Sequence, residues 1–153
     1  MIIYFTGQPS AGKTTLANAI NNNSVFPYSR PIVLDGDELR EMTSNKDYSE
    51  AGRRRNLEVA HAIALFLVKI GYVPIIAMVS PFRDLREQLK ARTTVVEFHV
   101  ETSSKRERHH FHVSGYQPPL DNFTYINTDV ALQNCVALIK KTIHNAYNQT
   151  PIK

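Results

Sequence analysis

Read for apolar and polar positions, the chain alternates short apolar runs with longer amphipathic ones. Ile2–Thr6 is a compact apolar run, which reads as a buried strand. Residues 14–22 follow as a helix, ended by Asn21, Asn22, Asn23 and Ser24, whose side chains compete for backbone hydrogen bonds. Pro31–Asp35 is a second strand closed by Gly36, and the polar residues 41–48 read as a loop. From Ser49, a fitting N-cap with Glu50 in the first turn, a long helix is expected to about Ile70. Leu57, Ala60, Ala64, Leu67 and Val68 give it one apolar face, and Gly71 stops it.

Val73–Val79 is apolar on both faces, as a central parallel strand is. A charged helix over 82–92, with Pro81–Phe82 at its start and the proline at the first helical position, precedes a fourth strand at Val95–Val100. Phe123–Asn127 is a weaker fifth strand. Thr128 or Asp129 is expected to cap a last helix, with Leu132, Val136, Ile139, Ile143 and Tyr147 on one face. Strands alternating with helices predict an α/β fold, here a three-layer α/β/α sandwich around a mainly parallel five-stranded sheet. All 153 residues read as a single domain, without repeats or linkers. The stretch 102–120 fits no core element. It is basic and rich in histidine, ends in Pro118–Pro119, and reads as a lid.

Composition narrows the classes. Apolar residues make up 42% of the chain and charged residues 21%, which supports a packed core and argues against disorder. No apolar run approaches the ~20 residues of a membrane span, so no membrane partner is expected. The opening residues carry no basic leader and run straight into a glycine-rich loop. The one cysteine, Cys135, beside Val136 and Leu138, reads as a buried helix thiol, and a cytoplasmic setting is expected. A net charge of +4 suits an anionic small molecule or a nucleic acid.

The chemistry begins with Gly7-Gln8-Pro9-Ser10-Ala11-Gly12-Lys13-Thr14, which matches G-x-x-x-x-G-K-[ST] between a strand and a helix. Backbone N–H groups of such a loop surround phosphates, and the following helix N-terminus adds positive potential. Lys13 is expected on the β- and γ-phosphates, the Thr14 hydroxyl on Mg²⁺, and Thr15 near the α-phosphate. Lys13 is read as exposed in the cleft. ATP and Mg²⁺ are therefore the expected cofactors.

Asp35-Gly36-Asp37-Glu38-Leu39-Arg40 ends the second strand, where ligands of open parallel sheets bind. Two carboxylates beside a triphosphate have two tasks, holding the metal shell and orienting an acceptor hydroxyl. Because no acid ends the third strand, the carboxylate that joins Thr14 in the metal shell is Asp35 or Asp37, with Asp35 the candidate ligand and Asp37 the candidate catalytic residue. Arg40 can fork onto an acceptor phosphate. Arg53 and Asn56, three residues apart, share a helix face. Ser80-Pro81-Phe82-Arg83, with Arg86 one turn on, follows the third strand and faces the same rim.

Together and in this order, these segments resemble the adenylyl-sulfate (APS) kinase family. The similar residues are the glycine loop, Asp35-Gly36-Asp37 with Leu39-Arg40, Tyr48-Ser49 followed by Arg53 and Asn56, and Ser80-Pro81-Phe82-Arg83 with Arg86. The resemblance runs from Met1 to about Arg92 and then, through Pro118-Pro119-Leu120 and Asn127-Thr128-Asp129, to Asp129. It implies transfer of the γ-phosphate of ATP to the 3′-hydroxyl of adenylyl sulfate. It implies that Asp37 lies near that hydroxyl, that Arg40, Arg53 and Asn56 bind the acceptor nucleotide, and that Tyr48 stacks on its base. It also implies that Ser80, Pro81, Phe82 and Phe111 line the acceptor side.

The family's Asp-Pro-Lys-Gly-Leu-Tyr segment is replaced here by 102–111, and its Phe-Thr-Gly segment by 111–115. An acceptor such as an activated cytidine nucleotide or a hydroxymethylated base in DNA is the alternative. His109, His110 and His112 are read as part of a phosphate-facing lid rather than a metal shell. Arg106, with Arg108 beside it, is the candidate arginine finger. The partners expected are thus ATP and a small nucleotide-like acceptor, ahead of nucleic acid, with a homodimer compatible. A regulatory ATPase would require a water-positioning residue, for which the sequence offers no strong candidate.

Overall fold

The computed structural model describes residues 1–21, 25–26, 30–104 and 112–149. Five strands, β1 (Ile2–Thr6), β2 (Arg30–Asp35), β3 (Tyr72–Ala77), β4 (Val95–Glu101) and β5 (Phe123–Asn127), form one sheet in the order β2-β3-β1-β4-β5. Every pairing is parallel, with Ile3 opposite Ile75 and Val96, and Phe98 opposite Thr124. Helices α1 (Lys13–Ile20), α2 (Gly36–Met42), α3 (Glu50–Lys69), α4 (Arg83–Lys90) and α5 (Leu132–Gln149) complete the expected three-layer α/β/α sandwich.

The period of two in the strands divides the core. Ile3 and Phe5 of β1 point to one face and pack with Leu16 and Ile20 of α1 and Ile139 and Ile143 of α5. Ile2 and Tyr4 point to the other, against Leu57, Ala60 and Ala64 of α3 and Leu85 and Leu89 of α4. β1 is buried at all five positions, as a central parallel strand flanked by helices must be.

The structure corrects four local expectations. Residues 36–42, partly read as loop, form α2. Its N-cap is Asp35, whose Oδ1 accepts from Asp37 N at 2.9 Å and Glu38 N at 3.4 Å. Pro81 is not the first residue of α4; Phe82 is the N-cap, so the proline stands one residue before it. Asp129 does not cap α5. Its carboxylate instead gathers Thr102 Oγ1 at 2.5 Å, Ser103 N at 2.8 Å, Ser103 Oγ at 2.7 Å and Ser104 Oγ at 3.1 Å. These bonds hold its pKa below the ordinary carboxylate range. The buried face of α5 is Cys135, Ile139 and Ile143, while Leu132 and Tyr147 are exposed. Cys135 is buried as expected. Ser49 caps α3 as expected, accepting from Gly52 N at 3.2 Å.

Candidate active site

The carboxyl ends of β1, β2 and β3 open onto one cleft of about 670 Å³. From the glycine loop it is lined by Pro9, Ser10, Gly12, Lys13, Thr14 and Thr15. From β2 and α2 come Asp35, Gly36, Asp37 and Arg40. Tyr48, Arg53, Asn56 and Leu57 follow, and Ala77 to Pro81 close the wall beyond β3. The structure thus brings together most residues that the sequence nominates, from segments far apart in the chain.

The loop is shaped by backbone constraints. Gly7, at φ +148°, lies so close to β4 that a Cβ there would stand 2.1 Å from the Val100 carbonyl oxygen. Gly12 precedes α1 at φ +100°, in the left-handed region that glycine enters without a Cβ penalty. Thr128 Oγ1 donates to the Ala11 carbonyl at 2.7 Å and so ties the loop to the end of β5. Gly7, Gln8 and Ala11 belong to the loop but do not line the cleft.

Lys13 departs from its expected exposure. It is only 8% exposed, and its Nζ donates to the Gln8 carbonyl at 2.7 Å. The ammonium is therefore held along the loop, where an entering phosphate would meet it. Thr14 Oγ1 donates to Asp35 Oδ2 at 2.6 Å. These are two hard oxygen donors at the phosphate end of the cleft, and such a pair fits Mg²⁺, which takes oxygen ligands and keeps several waters. With Oδ1 on the N-terminus of α2 and Oδ2 on Thr14, Asp35 is fixed at both oxygens. Asp37, in the first turn of α2, lines the cleft itself.

The far half of the cleft is cationic and aromatic. The Arg40 guanidinium lies 4.3 Å from the Tyr48 ring centroid and donates to the Asp47 carbonyl at 2.8 Å and the Asn45 carbonyl at 3.2 Å. Arg53 lies 5.5 Å from the same ring and donates to the Tyr48 carbonyl at 2.9 Å. Burial, and then the Arg40 charge, lower the Arg53 pKa. Backbone carbonyls and the exposed Tyr48 ring thus hold two like charges side by side. Asn56 is buried, with Nδ2 3.5 Å from the Gly36 carbonyl, and among the described residues its Oδ1 has no hydrogen-bond partner. An orphaned acceptor in a cleft wall marks a place for a ligand donor.

Not every nominated residue faces the cleft. Phe82 stands outside the wall, its ring 4.2 Å below the Arg54 guanidinium. Arg83 and Arg86 are structural. Arg83 Nε donates to the Pro118 carbonyl at 2.9 Å. Arg86, 1% exposed, pairs with Glu97 at 2.8 Å and donates to the carbonyls of Ser80 and of Gln117. Arg106 and Phe111, with Arg108, His109 and His110, lie outside the described residues.

Sequence reasoning missed the buried polar layer beneath the cleft. Tyr4 OH lies 2.8 Å from Ser80 Oγ and 2.9 Å from His61 Nε2, and Tyr116 OH lies 2.9 Å from Thr6 Oγ1 and 3.1 Å from His99 Nδ1. Burial raises the Tyr116 hydroxyl to about 12, so it stays protonated and can donate. Burial, and then the Arg86 charge, lower His61 to about 4, which keeps it neutral. No periodicity signals such a network. Its only trace in the sequence is polar residues inside otherwise apolar strands, such as Tyr4, Glu97 and His99.

Among the described residues, no helix is long and apolar enough to cross a membrane, and no cluster of three or more His, Cys, Asp or Glu side chains could hold a metal ion.

The family model for adenylylsulphate kinase matches residues 1–128. The adenylyl-sulfate kinase of Burkholderia ambifaria is 30% identical over 135 residues, covering 83% of this chain and 75% of that protein. That of Geotalea daltonii is 33% identical over 99 residues, covering 64% of this chain and 49% of that protein, so the chain spans only about half of that relative's length. Among solved structures, Mycobacterium tuberculosis APS kinase in complex with AMPPNP and APS superposes with a TM-score of 0.80 at 19% identity, covering 94% of this chain and 96% of that one. That likeness is one of fold. The chain belongs to the adenylylsulphate kinase family.

Proposed function

We propose that this member of the adenylylsulphate kinase family transfers the γ-phosphate of ATP to the 3′-hydroxyl of adenylyl sulfate. The observation that carries the reading is the continuity of the cleft. The glycine loop with Lys13 and Thr14 lines the same cleft as Arg40, Tyr48, Arg53 and Asn56, and Asp37 stands in that wall too.

The roles divide by chemistry. Backbone N–H groups of the loop and the α1 N-terminus bind the ATP phosphates, and Lys13 neutralises the charge that develops on transfer. Thr14 and Asp35 would hold Mg²⁺, which would supply charge neutralisation for the transferring phosphate. Asp37 orients the acceptor hydroxyl and takes up its proton at a carboxylate oxygen. Arg40 and Arg53 bind the acceptor's anionic linkage, Tyr48 stacks on its base, and Asn56 Oδ1 accepts one hydrogen bond from it. Ser80 and Pro81 close the acceptor wall. Arg106 and Phe111 are assigned by sequence to the transferring phosphate and the acceptor, and both lie outside the described residues.

The test is transfer from γ-labelled ATP to a panel of nucleotide acceptors led by adenylyl sulfate. Label on the adenylyl sulfate 3′-position is the expected result. Label only on a cytidine-type nucleotide or on hydroxymethylated DNA would replace this acceptor while leaving the donor half in place.

A further inference from the structure

Gln8 does something that phosphate binding does not require of it. The motif leaves its position open, because the loop binds phosphate through backbone groups. Here the Gln8 carboxamide pairs with both backbone polar groups of one distant residue. Nε2 donates to the Val113 carbonyl at 3.1 Å, and Val113 N donates to Oε1 at 2.9 Å. The main-chain carbonyl of Gln8 meanwhile accepts from Lys13 Nζ at 2.7 Å. One residue thus holds the phosphate-binding lysine with its backbone and a remote segment with its side chain.

That segment leads to the other half of the cleft. Four residues on, Gln117 N donates to the Pro81 carbonyl at 2.9 Å, and Gln117 Oε1 accepts from Arg83 N at 3.0 Å. The Gln117 carbonyl accepts from the buried Arg86 at 2.6 Å. Between the anchors, the Tyr116 hydroxyl is seated against Thr6 and His99. Residues 113–117 therefore form a strap with one end on the donor loop and the other on Ser80–Pro81, which line the cleft.

We propose that Gln8 is a positioning residue that couples occupancy of the donor loop to the Ser80–Pro81 wall through this strap. Phosphates entering the loop compete with the Gln8 carbonyl for Lys13, and the Gln8 side chain passes the adjustment to Val113. Calling the far wall the acceptor side rests on the proposed function, but the coupling itself can be read without any acceptor.

The experiment is amide hydrogen exchange on the full chain with and without Mg·AMPPNP, in the wild type and in Gln8→Met, which keeps the length and loses both bonds. In the wild type, nucleotide slows exchange in α1 and also in 113–117. In Gln8→Met the α1 response persists and the strap response disappears. Without nucleotide, the Val113 amide exchanges about tenfold faster, the loss expected for a hydrogen bond of typical net strength. A strap that responds equally in both proteins overturns the proposal, as does a wild-type strap indifferent to nucleotide. Loss of the α1 response in a folded Gln8→Met would make Gln8 part of nucleotide binding itself and also overturn it. Should Gln8→Met not fold, Gln8→Glu keeps the acceptor for Val113 N but sets a carboxylate against the Val113 carbonyl. A weakened strap response is then expected, and a full one refutes the coupling. Failure of adenylyl sulfate as a substrate would appear only in the transfer assay and leave these outcomes unaffected.

Discussion

Thr14 Oγ1 donates to Asp35 Oδ2 at 2.6 Å, joining the last residue of the phosphate-binding motif to the carboxylate that ends β2. Because Asp35 Oδ1 also caps α2, this residue is fixed from two sides and suits a metal shell better than a proton acceptor. Asp37, two residues further and in the cleft wall, is the residue we propose for the acceptor hydroxyl.

The two aspartates should therefore fail differently. Asp35→Asn retains an acceptor for the α2 cap, so its stability cost stays within about 1 kcal/mol. It should raise the Mg²⁺ concentration needed for half-maximal activity. Asp37→Asn should instead lower kcat on the order of a hundredfold or more, with a small change in ATP affinity. Steady-state kinetics across a Mg²⁺ titration, with nucleotide binding by calorimetry, separates them. If Asp37→Asn mainly weakened ATP binding, the assignments would have to be exchanged.

Gly52 tests the acceptor half without touching a nominated ligand. A Cβ at this helical glycine would stand 2.3 Å from the Asp47 carbonyl oxygen and 2.4 Å from Asp47 Cγ. Gly52→Ala must push away the turn that carries Tyr48 and receives Arg40. The acceptor KM should rise about tenfold, the scale of one lost hydrogen bond or aromatic contact, while the ATP KM moves much less. A parallel rise in both constants would mean that the two halves of the cleft are not separate sites.

The buried pair of Arg86 and Glu97 predicts a stability effect. Glu97 faces Arg86 at 2.8 Å and Lys90 at 2.5 Å, and its side chain and that of Arg86 are each 1% exposed. Glu97→Gln leaves a buried guanidinium without its counter-charge and should cost about 3 kcal/mol in denaturant unfolding. A loss below about 1 kcal/mol would indicate that Lys90 and Arg86 find water or other acceptors.

His61 makes stability depend on pH. Its folded pKa, lowered by burial and by Arg86 to about 4, lies below the ordinary 6.5. Between those values the unfolded chain binds more protons, so this contribution is full above pH 6.5 and declines as pH falls toward 4. The groups facing His61 are Tyr4, which stays protonated throughout this range, and the Arg86 guanidinium. Urea midpoints from pH 7.5 to 4.5 should fall, and His61→Asn should flatten that slope. An unchanged slope would place the dependence on the carboxylates.

The elements legible in the sequence were those with a local cause. β1 and β3 are mostly apolar, the glycine loop has fixed spacing, and Ser49 announces α3. α2 was missed although Asp35 followed three residues later by Glu38 is a helix-start pattern; the Asp-Gly step and the polar residues after it masked the signal. Position puts the segment carrying Arg83 and Arg86 on the cleft side but leaves open whether the two arginines turn inward. Whether an arginine there meets a ligand or a buried glutamate depends on Glu97, a residue on another strand, which no local pattern reveals. The strap shows the same limit, since Gln8 and Val113 are 105 residues apart.

The most direct measurement is the specificity of the purified chain for its acceptor, taken as kcat/KM for adenylyl sulfate and for rival nucleotide hydroxyls under saturating Mg·ATP, with the phosphorylated position identified. Lys13→Ala serves as the control; its loss of the loop cation should lower transfer on the order of a hundredfold or more while circular dichroism stays native. The account predicts that adenylyl sulfate is preferred and that the phosphate appears on its 3′-hydroxyl. Preference for another acceptor, or ATP hydrolysis that no acceptor stimulates, would contradict it.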